Sequence, residues 1–134
     1  MTVTRSLPAI LFIAISIVIA GTLISTQGRA SDAAQTKTID GYLVDVACAT
    51  DNAKTPTKGF GGIHTKDCMQ MEDCAGSGFA VLTPDDKIIK FDSKSNQLAR
   101  IFLQGSKKDK DFKVSVTGKL QGDKLSVESI NLKD

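Results

Sequence analysis

The chain has 134 residues, 17 Lys+Arg against 15 Asp+Glu, one His, three Cys and no Trp. Both basic residues of the first thirty positions (Arg5 and Arg29) lie ahead of the acidic ones, so residues 31–134 carry formal net charge zero. A neutral, Trp-free domain lacks the positive groove and aromatic platforms of nucleic-acid binders, and only Tyr42 and Phe60 are candidates for exposed aromatics.

Residues 1–30 read as an export signal. Arg5 gives a basic start, Leu7 to Ile24 is apolar without a charge, and Gly28 and Ala30 suit the −3 and −1 positions of a cleavage before Ser31. The apolar run approaches the roughly 18–20 residues that span a bilayer, so an uncleaved membrane anchor is the second reading. In either case the remainder is expected outside the plasma membrane, periplasmic or secreted, with the basic end inside. Residues 31–37 are small and polar and form a linker, which leaves 38–134 as one domain with a single modest core.

Thr38–Val46 is rich in β-formers, with Gly41 placed for a bulge or tight bend. Gly78–Thr83 and Lys87–Phe91 are strands two and three, a hairpin turned by Pro84-Asp85-Asp86. Leu98, Ile101 and Phe102 then stand at i, i+3 and i+4, which predicts a short helix over Asn96–Gln104, capped by Ser95 and ended by Gly105. Phe112–Leu120 alternates strictly and is strand four. Lys124–Leu132 is strand five, and its apolar positions change parity between Val127 and Ile130, which predicts a bulge. The order β-β-β-α-β-β is that of an OB-like five-stranded barrel. Another small barrel, or a sandwich with one helix, is the alternative.

The connection between strands one and two, 48–77, is far longer than a hairpin needs, and long connections in compact domains tend to carry function. It holds all three cysteines and the histidine, spaced Cys48-x15-His64-x3-Cys68-x5-Cys74. Four chemistries fit. A Cys3His set is a structural zinc combination, with His64 and Cys68 on one face if His64–Met71 is helical. Met69 and Met71 add soft thioethers that suit Cu(I), although such residues also fill cores. A disulfide from Cys48 to Cys68 or Cys74 would staple the connection to strand one, worth roughly 3 kcal/mol by loop closure, and would leave one spare thiol. A redox-active thiol is the fourth, without the C-x-x-C that usually accompanies it. A Cys/His nucleophile pair finds no distinct orienting acid, though Asp45 and Asp67 are close in sequence. No G-x-S-x-G, phosphate loop, dinucleotide fingerprint or C-x-x-C-H is present, and Gly59-Phe60-Gly61-Gly62 reads as flexible loop.

The runs G-Y-L-V-D-x-x-C-A (Gly41 to Ala49) and H-T-x-x-C-M-x-M-x-x-C-x-x-S-G-F (His64 to Phe79) resemble a group of small exported bacterial proteins with OB-like domains, the DUF5818-like group. The later strands KVSVTGKL and KLSVESINL are similar as well. The resemblance implies a small exported OB-like domain with a recurring Cys/His cluster at Cys48, His64, Cys68 and Cys74, and no particular activity. The resulting expectation is a binding module rather than an enzyme, holding zinc or copper, with a disulfide-stapled interaction domain as the alternative. A metal ion is the expected partner; nucleic acid is not, and membrane contact would come only through the first thirty residues.

Overall fold

The computed structural model describes residues 35–134. The expected signal or anchor and most of the linker lie outside the described residues. Among the described residues no helix is long and apolar enough to cross a membrane.

The elements run β1 (Thr36–Asp45), α1 (Val46–Lys54), α2 (Phe60–Ile63), α3 (Lys66–Gln70), α4 (Glu72–Ser77), β2 (Phe79–Leu82), β3 (Ile88–Phe91), α5 (Ser93–Gly105), β4 (Lys113–Gln121) and β5 (Lys124–Leu132). The five strands close into a barrel in the order β1-β2-β3-β5-β4, with β4 returning to β1. Every pairing is antiparallel except β3 with β5, a short parallel contact at Lys90↔Lys124 and Phe91↔Leu125. The described residues thus form a closed five-stranded β-barrel with short helices.

Alternation fills the barrel. Leu43, Phe79, Val81, Phe91, Val114, Val116 and Leu125 point inward from all five strands, joined by Phe112 just ahead of β4. Ala99 and Leu103 of α5, Met69 of α3 and Ala75 of α4 close the same core. A second cluster lies outside the wall: Val44, Ala80 and Leu82 pack with Ala49 of α1, flanked by Tyr42, Val46, Phe60 and Ile88. The two clusters explain why all four residues of β2 are buried. Its odd positions face the barrel interior and its even positions face α1 and α2, so a continuous apolar run replaces the alternation of a one-sided strand.

Several local expectations are revised. The parity change in β5 is a bulge: Thr117 pairs with Ser129 and Gly118 with Val127, which leaves Glu128 without an opposite residue. Gly41 makes no bulge in the ladder to β4, which runs unbroken from Thr36↔Lys119 to Tyr42↔Lys113. Glycine is needed there because a Cβ would stand 2.3 Å from the Leu82 carbonyl oxygen. The helix after β3 begins earlier than the spacing predicts. Asp92, not Ser95, is its cap and accepts from the Ser95 N–H at 2.8 Å. Ser95 is buried, and its hydroxyl accepts from the Val127 N–H at 2.7 Å, tying α5 to β5. The buried face runs through Ser95, Ala99 and Leu103, while Ile101 is 66% exposed; small residues at 95 and 99 let the helix approach the barrel more closely than a face of large residues would.

The largest revision concerns residues 48–77. The expected loop is a run of four short helices. β1 stops one residue sooner than predicted, because Asp45 caps α1 and Val46 is already helical. His64 and Cys68 do not share a helix: His64 follows the end of α2, and α3 opens only at Lys66.

Candidate metal centre

Each cysteine occupies the same place in a helix. Asp45, Thr65 and Met71 are the residues that precede α1, α3 and α4, and the cysteine stands three residues later in each case: D-V-A-C, T-K-D-C and M-E-D-C. The first two are side-chain caps. Asp45 Oδ1 accepts from the Cys48 N–H at 2.8 Å and Thr65 Oγ1 from the Cys68 N–H at 3.2 Å, satisfying donors that a helix start leaves open. Helical side chains lean toward the N-terminal end, so three first turns that converge bring their three sulfurs together.

The convergence is braced from outside. The Ser77 hydroxyl accepts from the Ala47 N–H at 3.0 Å and donates to the Cys74 carbonyl at 2.6 Å, joining the start of α1 to α4. The Val46 N–H donates to the Gly78 carbonyl at 2.9 Å. Arg100 of α5 donates to the Ala75 carbonyl at 2.6 Å. α3 is held by the Lys66 N–H, which donates to the Asp109 carbonyl at 2.7 Å, and by the Lys66 ammonium on the Ser106 carbonyl at 3.1 Å.

Cys48 Sγ lies 3.7 Å from Cys68 Sγ and 3.7 Å from Cys74 Sγ. A disulfide needs about 2.05 Å, so neither pair is bonded and all three cysteines are free. Two thiolates on a tetrahedral zinc with Zn–S of about 2.3 Å stand about 3.8 Å apart, which is the separation seen. One oxygen of Asp45 completes a group of four donor atoms, from Asp45, Cys48, Cys68 and Cys74, all within 4.8 Å of one another.

His64 belongs to the site but stands one bond further out. Its Nε2 lies 2.6 Å from Asp45 Oδ2, and it is not in the four-donor group. The imidazole is buried, its ring centroid 4.8 Å from that of Phe60. Asp45 is fully buried with both oxygens bonded. Burial works against its charged form, but the bond to His64 and that from the Cys48 backbone outweigh it, and its pKa falls below the usual carboxylate value. Burial, followed by the adjacent Asp45 charge and the two sulfur contacts, pushes the Cys48 thiol far up. Burial pushes Cys74 up as well. The raised thiols of Cys48 and Cys74 beside a carboxylate are what a divalent cation would reverse, since its charge favours every anionic donor at once.

Met69 is fully buried in the barrel core, and Met71 is 60% exposed between α3 and α4. Asp45 is the residue that spacing alone undervalued. Its signal was present in the Asp-x-x-Cys that caps α1, which places carboxylate and thiol on the same first turn. Comparison of the chain with protein-family models, with curated proteins and with solved structures finds no match.

Proposed function

We propose that this chain is an exported OB-like binding module that holds one zinc ion on Cys48, Cys68, Cys74 and Asp45, with His64 bracing the carboxylate. The observation that carries the reading is the pair of 3.7 Å sulfur separations centred on Cys48 with a carboxylate oxygen in the same group. Four protein donors make a closed site, which suits a structural ion that fastens α1, α3 and α4 to the end of β1. When bound, zinc would supply the positive charge that keeps three thiolates together and links segments with little core of their own. His64 behind Asp45 follows the common arrangement in which a metal donor is oriented by a hydrogen-bonded neighbour.

The preference for zinc over copper rests on donor type. Cu(I) favours thiolate and thioether, whereas this group includes a hard carboxylate oxygen, Met69 is packed in the barrel core and Met71 is exposed. The OB-like reading is supported by the barrel order β1-β2-β3-β5-β4 and by the position of α5 between β3 and β4. The export reading is supported by the apolar, uncharged stretch Leu7 to Ile24.

The test is native and denaturing mass spectrometry of the reduced protein after exposure to zinc or Cu(I), with thiol alkylation. One zinc per chain, three thiols alkylated after unfolding, and weaker zinc retention in Asp45→Asn than in His64→Ala are expected. Retention of Cu(I) without zinc would replace the metal. Equal retention in Asp45→Asn and wild type would remove Asp45 from the donor set, and binding of neither metal would end the reading.

A further inference from the structure

The three cysteine sulfurs are arranged about Cys48. We propose that the centre is also a thiol–disulfide exchange site for a small-molecule disulfide, in which Cys48 is the sulfur common to two alternative internal disulfides, Cys48–Cys68 and Cys48–Cys74. This goes beyond metal binding and needs only the thiols.

Three features carry it. Cys48 is equidistant, at 3.7 Å, from the other two sulfurs, so either bond requires the same closure to about 2.05 Å. The two partners sit on separate helices of five and six residues, joined at Met71, whose backbone is extended at φ −58° and ψ 144°. Neither sulfur is carried with the other by one rigid helix. All three cysteines are half-buried rather than sealed in the core.

The exchange balances without any further oxidant. The thiolate of Cys68 or Cys74 attacks one sulfur of the small disulfide R–S–S–R. A mixed protein–SR disulfide forms and RS⁻ leaves. Cys48 then attacks the protein sulfur of that mixed disulfide, the internal Cys48 disulfide forms, and the second R–S fragment departs with the Cys48 proton as RSH. The protein has lost two hydrogens, and the small disulfide has become two thiols. Because Cys48 lies 3.7 Å from both partner sulfurs, the second step is intramolecular and needs no second encounter.

The experiment exposes the chelator-treated, reduced protein to glutathione disulfide, quenches by alkylation, and reads intact mass and disulfide-linked peptides. An internal disulfide that always contains Cys48 is expected, with Cys68→Ser closing to Cys74 and Cys74→Ser closing to Cys68. Cys48→Ser should accumulate mixed disulfides and close at least about tenfold more slowly. A Cys68–Cys74 product in the wild type would overturn the proposal. So would unchanged closure in Cys48→Ser, or persistence of mixed disulfides in every variant. Since metal is absent throughout, these outcomes are independent of whether the reduced protein retains zinc, which the native-mass experiment reads separately.

Discussion

The Asp45–His64 pair offers a quantitative test of how the centre is built. Both side chains are buried, and the 2.6 Å bond between them is the one side-chain partner that His64 has among the described residues. Asp45→Ala removes the cap of α1, worth about 1 kcal/mol. It also leaves a buried imidazole nitrogen unpaired, worth about 1–3 kcal/mol. Together these come to roughly 2–4 kcal/mol, and with roughly 4–8 °C per kcal/mol for a domain of this size the Tm should fall by about 8–32 °C. Asp45→Asn keeps an acceptor for the Cys48 N–H, so it should cost about 1–2 kcal/mol, mostly from the lost charge on the His64 bond. His64→Ala strands a buried carboxylate with one bond fewer and should also cost a few kcal/mol. If the two side chains act as one unit, the double mutant Asp45→Asn/His64→Ala will be less destabilised than the sum of the singles by about 1 kcal/mol or more. The assay is denaturant unfolding with chelator and reductant present, so that neither metal nor disulfide contributes. Additivity within about 0.5 kcal/mol would refute the coupling and reduce His64 to a packing residue beside Phe60.

Other outcomes follow from the same geometry. The thiols of Cys48 and Cys74 are raised in the folded state, so their contribution is complete below the unfolded thiol value of about 8.5 and is lost as pH rises toward the folded values. Unfolding of the metal-free, reduced protein should therefore become easier above about pH 8.5, and Cys48→Ser should flatten that slope. Asp45 is lowered, so its contribution is present above the unfolded carboxylate value of about 3.9 and disappears as pH falls through the folded one; an acid titration of Asp45→Asn should lose that part of the transition. Gly41→Ala must push its Cβ away from the Leu82 carbonyl, and a loss of about 1–3 kcal/mol by thermal unfolding is expected. Met69→Ala should cost about 2–5 kcal/mol as a core truncation while leaving metal stoichiometry unchanged, and Met71→Ala should change neither.

The barrel was legible because its strands obey local rules. Phe112, Val114 and Val116 alternate because one side of β4 faces the core and the other faces outward, and the Val127–Ile130 parity change maps onto a bulge at Glu128. The helix after β3 is legible in position and partly in face. Phe102 packs against the core and Leu98 is half-buried as their spacing predicts, but Ile101 is exposed, and the fully buried line runs through Ser95, Ala99 and Leu103, where hydrophobic spacing does not weigh small residues. The segment 48–77 was legible as important and illegible as structure. Its helices are four to nine residues long, below the length at which periodicity declares itself, and such short helices are held by tertiary contacts rather than propensity.

The centre shows the same division between local and non-local information. Counting soft side chains finds Cys48, Cys68 and Cys74, because their concentration in one segment is visible without any fold. Choosing between His64 and Asp45 requires knowing which helix each sulfur starts from. An imidazole four residues before Cys68 would be the natural fourth donor if one helix ran through both. The break between Ile63 and Lys66 separates them and turns His64 toward Asp45 instead. What sequence does hold is the recurrence of a helix-preceding residue three places before each cysteine, and in Asp45 that residue is itself a metal-competent carboxylate. Three helix starts at one end of a barrel strand give a donor set whose spacing is fixed by capping hydrogen bonds and by the braces at Ser77, Arg100 and Lys66. An ion bound here would not create the arrangement; it would take up donors that the backbone has already gathered, and removing the Asp45 cap should loosen the site even where all three thiols remain.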